Sequence, residues 1–162
     1  MFQITTAIQK ISQLKKRIRI VQGGTSAAKT VGIIAIASDL AQKDETPTIT
    51  SIVSESFPHL KRGAIRDFIR IMEEQHYFNR DRWNKTDNIY TFETGSKLEF
   101  FSADQSFKVR GPRRQRLFLN EANNISFETF EQLEVRTEDI IWIDYNPVSE
   151  FWAMTELEKR DD

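Results

Sequence analysis

The chain contains no cysteine, which excludes a disulfide framework and any thiolate-ligated zinc site and is compatible with a reducing compartment. It has only two histidines, His59 and His76. They stand apart from each other and from spaced partners, so neither has metal-ligand spacing and both read as structural. No stretch approaches the roughly 18 apolar residues of a membrane span. Lys10, Lys15, Lys16, Arg17 and Arg19 break up the N-terminal segment, which therefore lacks the apolar region of an export signal. The 162 residues are 39% hydrophobic and have a mean hydropathy of −0.51. That composition predicts one soluble domain, residues 1–162, built on a single core.

The net charge of −1 conceals a polarity. The first 120 residues carry 20 basic and 12 acidic side chains, and the remainder carry 3 and 12. Either the acidic tail is a solvated helical face, or the basic part faces nucleic acid and the tail faces something else.

Gly23-Gly24-Thr25-Ser26-Ala27-Ala28-Lys29-Thr30 follows a short strand pattern (Ile18, Ile20) and opens a helical run. Its spacing is that of a phosphate-binding loop, in which backbone N–H groups cradle phosphates at a helix N-terminus. Lys29 would reach the β- and γ-phosphates as a point charge, and the Thr30 hydroxyl would ligate the accompanying Mg²⁺. Ala28 stands where the pattern has a second glycine. That position enters the helix, where alanine is favourable if φ is negative.

Around this loop, Ile4, Ile8, Ile11 and Leu14 predict an amphipathic helix over residues 2–15. Arg17 to Gln22 reads as the strand that delivers the loop. Its polar residues Arg17, Arg19 and Gln22 either reach a base or phosphate or face solvent. Residues 30–42 are apolar on nearly every side and predict a buried helix. The β-branched run Thr48 to Val53 predicts a second strand, parallel to the first in a βαβ unit. A helix follows over 58–75, with Lys61, Arg62, Arg66 and Arg70 on its polar side, a stripe that suits solvent or a DNA backbone. Residues 86–101 predict a β-hairpin, and Ser102 to Arg110 a loop.

Arg110, Arg113, Arg114 and Arg116 then crowd into seven residues. They read equally as phosphate-gripping guanidinium groups or as ordinary surface residues. Leu117-Phe118-Leu119 is an apolar strand that ends in Asn120-Glu121. In nucleotide hydrolases such a strand end holds a polar residue near Mg²⁺ and then a glutamate that activates water. Asn120 occupies the aspartate position and brings no charge, although its carbonyl can hold a magnesium-bound water. Ser126 caps a helix to about Arg136. Ile140 to Asp144 forms a buried strand that Pro147 ends. At that strand's end Asn146 either senses the γ-phosphate or makes an Asn-Pro turn.

The chain resembles the ATPase domain of the large terminase subunit, the DNA-packaging motor of tailed bacteriophages. The resemblance rests on Gln22 to Thr30, Lys108-Val109-Arg110-Gly111, Leu119-Asn120-Glu121-Ala122-Asn123 and Ile143-Asp144-Tyr145-Asn146-Pro147. It implies an α/β, three-layer, RecA-like P-loop NTPase with a mainly parallel central sheet and an added β-hairpin. Lys29 and Thr30 would be its Walker A pair, Asn120 and Glu121 its Walker B pair, and Asn146 part of a coupling motif. Arg110 would complete a neighbouring subunit's site. The implied function is hydrolysis of ATP with Mg²⁺ to move double-stranded DNA into a procapsid, in the cytoplasm of an infected bacterium. The implied partners are the portal protein, the small terminase subunit and other copies of the chain in a ring. The family's C-terminal nuclease half has no counterpart in these residues, so nuclease activity is not expected of them. The rival readings are another DNA-stimulated ATPase, such as a helicase fragment, and a nucleotide-binding assembly module without turnover.

Overall fold

The computed structural model describes residues 5–22, 26–146 and 151–162, without the side chains of Ser26, Ala27 and Ser106. Gly23, Gly24, Thr25 and Pro147 therefore lie outside the described residues. Thr5 caps the first helix, α1 (Thr6–Ser12), by accepting a hydrogen bond from the Ile8 N–H. Strand β1 (Ile18–Gln22) leads to α2 (Ser26–Lys43), whose Ile33, Ile34, Ala37 and Ala41 are fully buried. Gly32 lets α1 lie close against α2, because a Cβ there would meet the Ile11 side chain at 3.1 Å.

Next come β2 (Ile49–Ser54), then α3 (Phe57–Leu60) running through a π turn (Lys61–Ile65) into α4 (Arg66–Glu74). Strands β3 (Trp83–Asn84), β4 (Ile89–Thr91) and β5 (Lys97–Ser102) follow. The β4–β5 pair is the expected hairpin, turned at Gly95 with φ +86, a conformation open to glycine. The predicted loop over 102–110 contains a short helix, α5 (Ser106–Val109). The rest is β6 (Arg114–Leu119), α6 (Phe127–Glu134) and β7 (Thr137–Tyr145).

The strands form one sheet in the order β1-β7-β6-β2-β5-β4-β3. Neighbours from β1 to β5 are parallel, and the β3–β4–β5 edge is antiparallel. Strands β1 and β2 are parallel as the βαβ pattern predicts, but β7 and β6 lie between them. Successive side chains of a strand point to opposite faces, and the apolar runs divide accordingly. Ile52, Phe100, Phe118 and Trp142 join one core with α1, α2 and α4, while Val53, Phe101, Leu117, Leu119, Ile141 and Ile143 join a second with α6. Near-continuous apolar strands are what a sheet buried on both faces requires. The result is three layers.

Beyond the end of β6 the chain reverses at Glu121, whose φ is 53. No helix among the described residues is long and apolar enough to cross a membrane.

Candidate nucleotide site

Ligand sites in open α/β sheets lie outside the carboxyl ends of the strands, so the register of β1, β7 and β6 decides which side chains meet. Val21 pairs with Asp144, and Leu119 with Ile143. Asn120, one residue beyond Leu119, therefore stands beside Asp144 on the face that carries Trp142, the face that α2 covers. The first turns of α2 bring Lys29 and Thr30 to the same point, each 5% exposed.

These groups form one connected set. Lys29 Nζ donates to the Tyr145 carbonyl (2.6 Å) and to Asn146 Oδ1 (3.3 Å). Thr30 Oγ1 donates to Asp144 Oδ2 (3.2 Å) and accepts from Asn120 Nδ2 (3.0 Å). Asn120 Nδ2 also faces both Asp144 oxygens, at 3.5 and 3.3 Å. A carboxylate only accepts, so this contact fixes the amide's orientation. The Asn120 carbonyl consequently turns away from Thr30 and accepts from Ser54 Oγ (3.2 Å). The Glu121 N–H donates to Asp144 Oδ1 (2.5 Å). Burial raises the Asp144 pKa to about 6, against the opposing pull of the Glu121 N–H, the Lys29 charge and the Thr30 hydroxyl.

Glu121 adopts a left-handed conformation that a residue with a Cβ takes only when its surroundings hold it there. Its Oε2 lies 2.7 Å from His59 Nε2. The histidine that reads as structural in the sequence therefore touches the predicted base. Strand pairing explains the meeting, since β2 lies beside β6 with Val53 opposite Leu119, so the segments leaving these strands run side by side. His59, Arg62 and Arg66 then face Thr30, Asn120 and Glu121 across a cavity of about 460 Å³. A second cleft of about 410 Å³, lined by α1, β1 and the Ala28–Lys29 turn, opens on the other side of Lys29.

The structure does not bring every predicted residue to this point. Arg110 is exposed, at the turn after α5, and no hydrogen bond or ion pair holds its side chain among the described residues. Arg114 and Arg116 belong to neither of the roles weighed in the sequence. Arg114 is 1% exposed and donates to Ser51 Oγ (2.7 Å) and the Leu133 carbonyl (3.2 Å), and Arg116 pairs with Asp44. Of the arginines before the loop, Arg17 binds Glu134 and the Thr137 carbonyl, and Arg19 the Lys16 carbonyl.

Among the described residues no group of three or more His, Cys, Asp or Glu forms a metal site of protein ligands alone. One hydroxyl, one carboxylate, one amide and one ammonium do fit a nucleotide with Mg²⁺, which takes few protein ligands when phosphates and waters supply the others.

The fold defines a class. A mostly parallel sheet flanked by helices on both faces, with the lysine–threonine pair opening the helix after β1, is a RecA-like α/β domain. Within that class the solved structures it matches include large terminases and a packaging motor. The large terminase of a thermophilic bacteriophage superposes with a TM-score of 0.81 at 16% identity, over 98% of this chain and 43% of that one. The complex of the same terminase with ADP superposes at 0.71 with 22% identity, over 88% and 37%. The large terminase ATPase domain of Thermus phage P74-26 gives 0.66 at 15%, over 93% and 67%. The Phi-28 gp11 DNA-packaging motor gives 0.59 at 14%, over 95% and 53%. The chain spans less than half of the first of these terminases. At these identities the likeness is one of fold. No protein-family model and no curated protein matches the sequence.

Proposed function

We propose that this chain is an ATP-hydrolysing domain of a DNA-packaging motor. The observation that carries the reading is the convergence of Lys29, Thr30, Asn120, Glu121 and Asn146 at the strand ends of a terminase-like sheet. In this reading the triphosphate lies on the loop from Gly23 to Thr30, and the ADP complex of the thermophilic phage terminase supports nucleotide binding as such. The cleft beside α1 has room for the base.

Mg²⁺ would neutralise charge on the phosphate oxygens, and Thr30 would hold it through its hydroxyl. Asn120, expected from the sequence to share that role, turns its carbonyl to Ser54 and its amide N–H to Thr30 and so offers the cation no oxygen. Glu121 accepts the proton of the attacking water and aims it in line at the γ-phosphorus. To reach phosphate oxygens Lys29 gives up the Tyr145 carbonyl and Asn146, so nucleotide binding is felt at the end of β7. Asn146 is thereby the coupling residue. Arg110, exposed beside Phe107, which is itself 70% exposed, would serve a neighbouring copy in a ring on a portal protein. The small terminase subunit is the further partner of this reading.

Lys61, Arg62, Arg66 and Arg70 are exposed along the π turn and α4 and form the face that suits a DNA backbone. If all four meet phosphates, counterion release predicts that affinity for double-stranded DNA falls roughly a hundredfold between about 50 and 200 mM salt. A flat response removes this face from DNA binding. The test of the function itself is phosphate release from ATP with and without double-stranded DNA. Release that DNA stimulates is the expected result. Release equal to a protein-free control at saturating ATP overturns the reading.

A further inference from the structure

In the proposed ATPase site Asn120 stands where a metal-binding strand end has its aspartate, and its carbonyl is engaged by Ser54. We propose that Asp144, one strand over on β7, supplies the carboxylate of the cation site, with Asn120 as the positioning residue that holds it against Thr30. This inference rests on the nucleotide-site reading above.

The sheet register shows why such an exchange conserves geometry. Because Leu119 pairs with Ile143, positions 120 and 144 are lateral neighbours on one face, roughly 4.8 Å apart by the spacing of adjacent strands. A carboxylate moved from one to the other keeps its height above the sheet and its side. It also keeps its partner, since Thr30 Oγ1 donates to Asp144 Oδ2 at 3.2 Å. The amide that remains at 120 donates to both Thr30 and Asp144, which ties the pair together.

Asp144 is also an expensive residue if its role is only structural. It is 1% exposed, and no lysine, arginine or histidine among the described residues lies within ion-pair distance of it. Its partners are a backbone N–H, a hydroxyl and an amide. Lys29 acts on it only as a charge at longer range. A buried carboxylate without a direct ion-pair partner costs several kcal/mol in general, and the core strand would accommodate an apolar residue at lower cost. Glu121, the other carboxylate at this point, is the proposed base, and its Oε2 contacts His59 and not Thr30. Asp144 is thus the acid that faces the Thr30 hydroxyl.

The test measures affinity for a fluorescent ADP analogue with and without Mg²⁺, and for Mn²⁺ by electron paramagnetic resonance in the presence of ADP. It compares the wild type, Asp144→Asn, and the exchange variant Asn120→Asp/Asp144→Asn. In the single variant the gain in ADP affinity on adding Mg²⁺, and the Mn²⁺ affinity, should fall by about tenfold or more, the scale of losing a metal-supporting carboxylate. Magnesium-free ADP should still bind, which also shows that the variant is folded. The exchange variant returns one carboxylate and one amide to the same pair of positions and should recover the metal response. Full metal dependence in Asp144→Asn overturns the proposal, as does an exchange variant that binds magnesium-free ADP and shows no recovery. A wild type that binds no ADP overturns the nucleotide-site reading itself, and the proposal with it.

Discussion

Glu121→Gln lowers ATP hydrolysis by about a thousandfold, within the range that loss of a general base produces, and leaves ATP affinity nearly unchanged. Glutamine has the size of glutamate and can occupy the same left-handed backbone position. It can also keep a hydrogen bond to His59 Nε2, now 2.7 Å from Oε2. What it loses is the ability to take a proton from water. In the proposed site the contacts that seat the phosphates come from other residues, Lys29 and Thr30 above all, so binding and turnover should separate. Steady-state phosphate release and an equilibrium nucleotide titration on the same preparations check both halves. A variant as fast as the wild type removes Glu121 as the base. A wild type as slow as the variant, with ATP bound to both, moves the protein to the class of nucleotide-binding modules without turnover.

The residues of this site differ in how plainly the sequence announces them. Lys29 and Thr30 are legible because a phosphate loop is a local device: glycines, lysine and threonine must follow one another at fixed spacing between strand and helix. Asn120-Glu121 and Asn146 are legible for a similar reason, as polar residues that interrupt apolar runs where core strands end. The seven-stranded order is not local. No periodicity states that β7 inserts between β1 and β6, and without that insertion Asp144 reads as one more residue of a buried strand.

His59 is missed for the same reason. It gains its meaning from the lateral pairing of β2 with β6, while in sequence it is a lone histidine at a helix start. Short elements are missed on different grounds. Strand β3 has two residues and α5 four, too few for any period to show. The π turn inside the predicted helix over 58–75 leaves the apolar spacing of its flanks intact, so the pattern reads as a single helix.

The arginine cluster shows how composition misleads when burial is unknown, and Arg116 gives the second large effect. Arg116→Leu should destabilise the fold by about 3–5 kcal/mol, the usual consequence of removing one partner of a buried ion pair. Arg116 and Asp44 are 8% and 10% exposed and meet through two bonds, of 2.7 and 3.1 Å. Thr48 and Ser96 also donate to Asp44, at 2.7 and 2.8 Å, so one carboxylate ties the end of α2 to β6 and to the β4–β5 turn. Burial pushes the Asp44 pKa up, but the hydrogen bonds from Arg116, Thr48 and Ser96 and the Arg116 charge outweigh it and hold the group below its ordinary value.

The sign of the pH effect follows from that depression. The ionised pair stabilises the fold above the unfolded carboxylate pKa, about 3.9, and the contribution is lost as pH falls through the lower folded value. Arg116→Leu should therefore lose most at neutral pH and approach the wild type in acid. Replacing both partners by leucine should cost less than the single change, because no uncompensated charge stays buried. Chemical denaturation of the wild type, both single variants and the double variant at neutral and acid pH measures each of these terms. Asn120 and Glu121 lie at the far end of β6, so folded Arg116→Leu should bind nucleotide normally. Weakened nucleotide binding at unchanged stability would make Arg116 a phosphate contact after all and remove the structural role argued here.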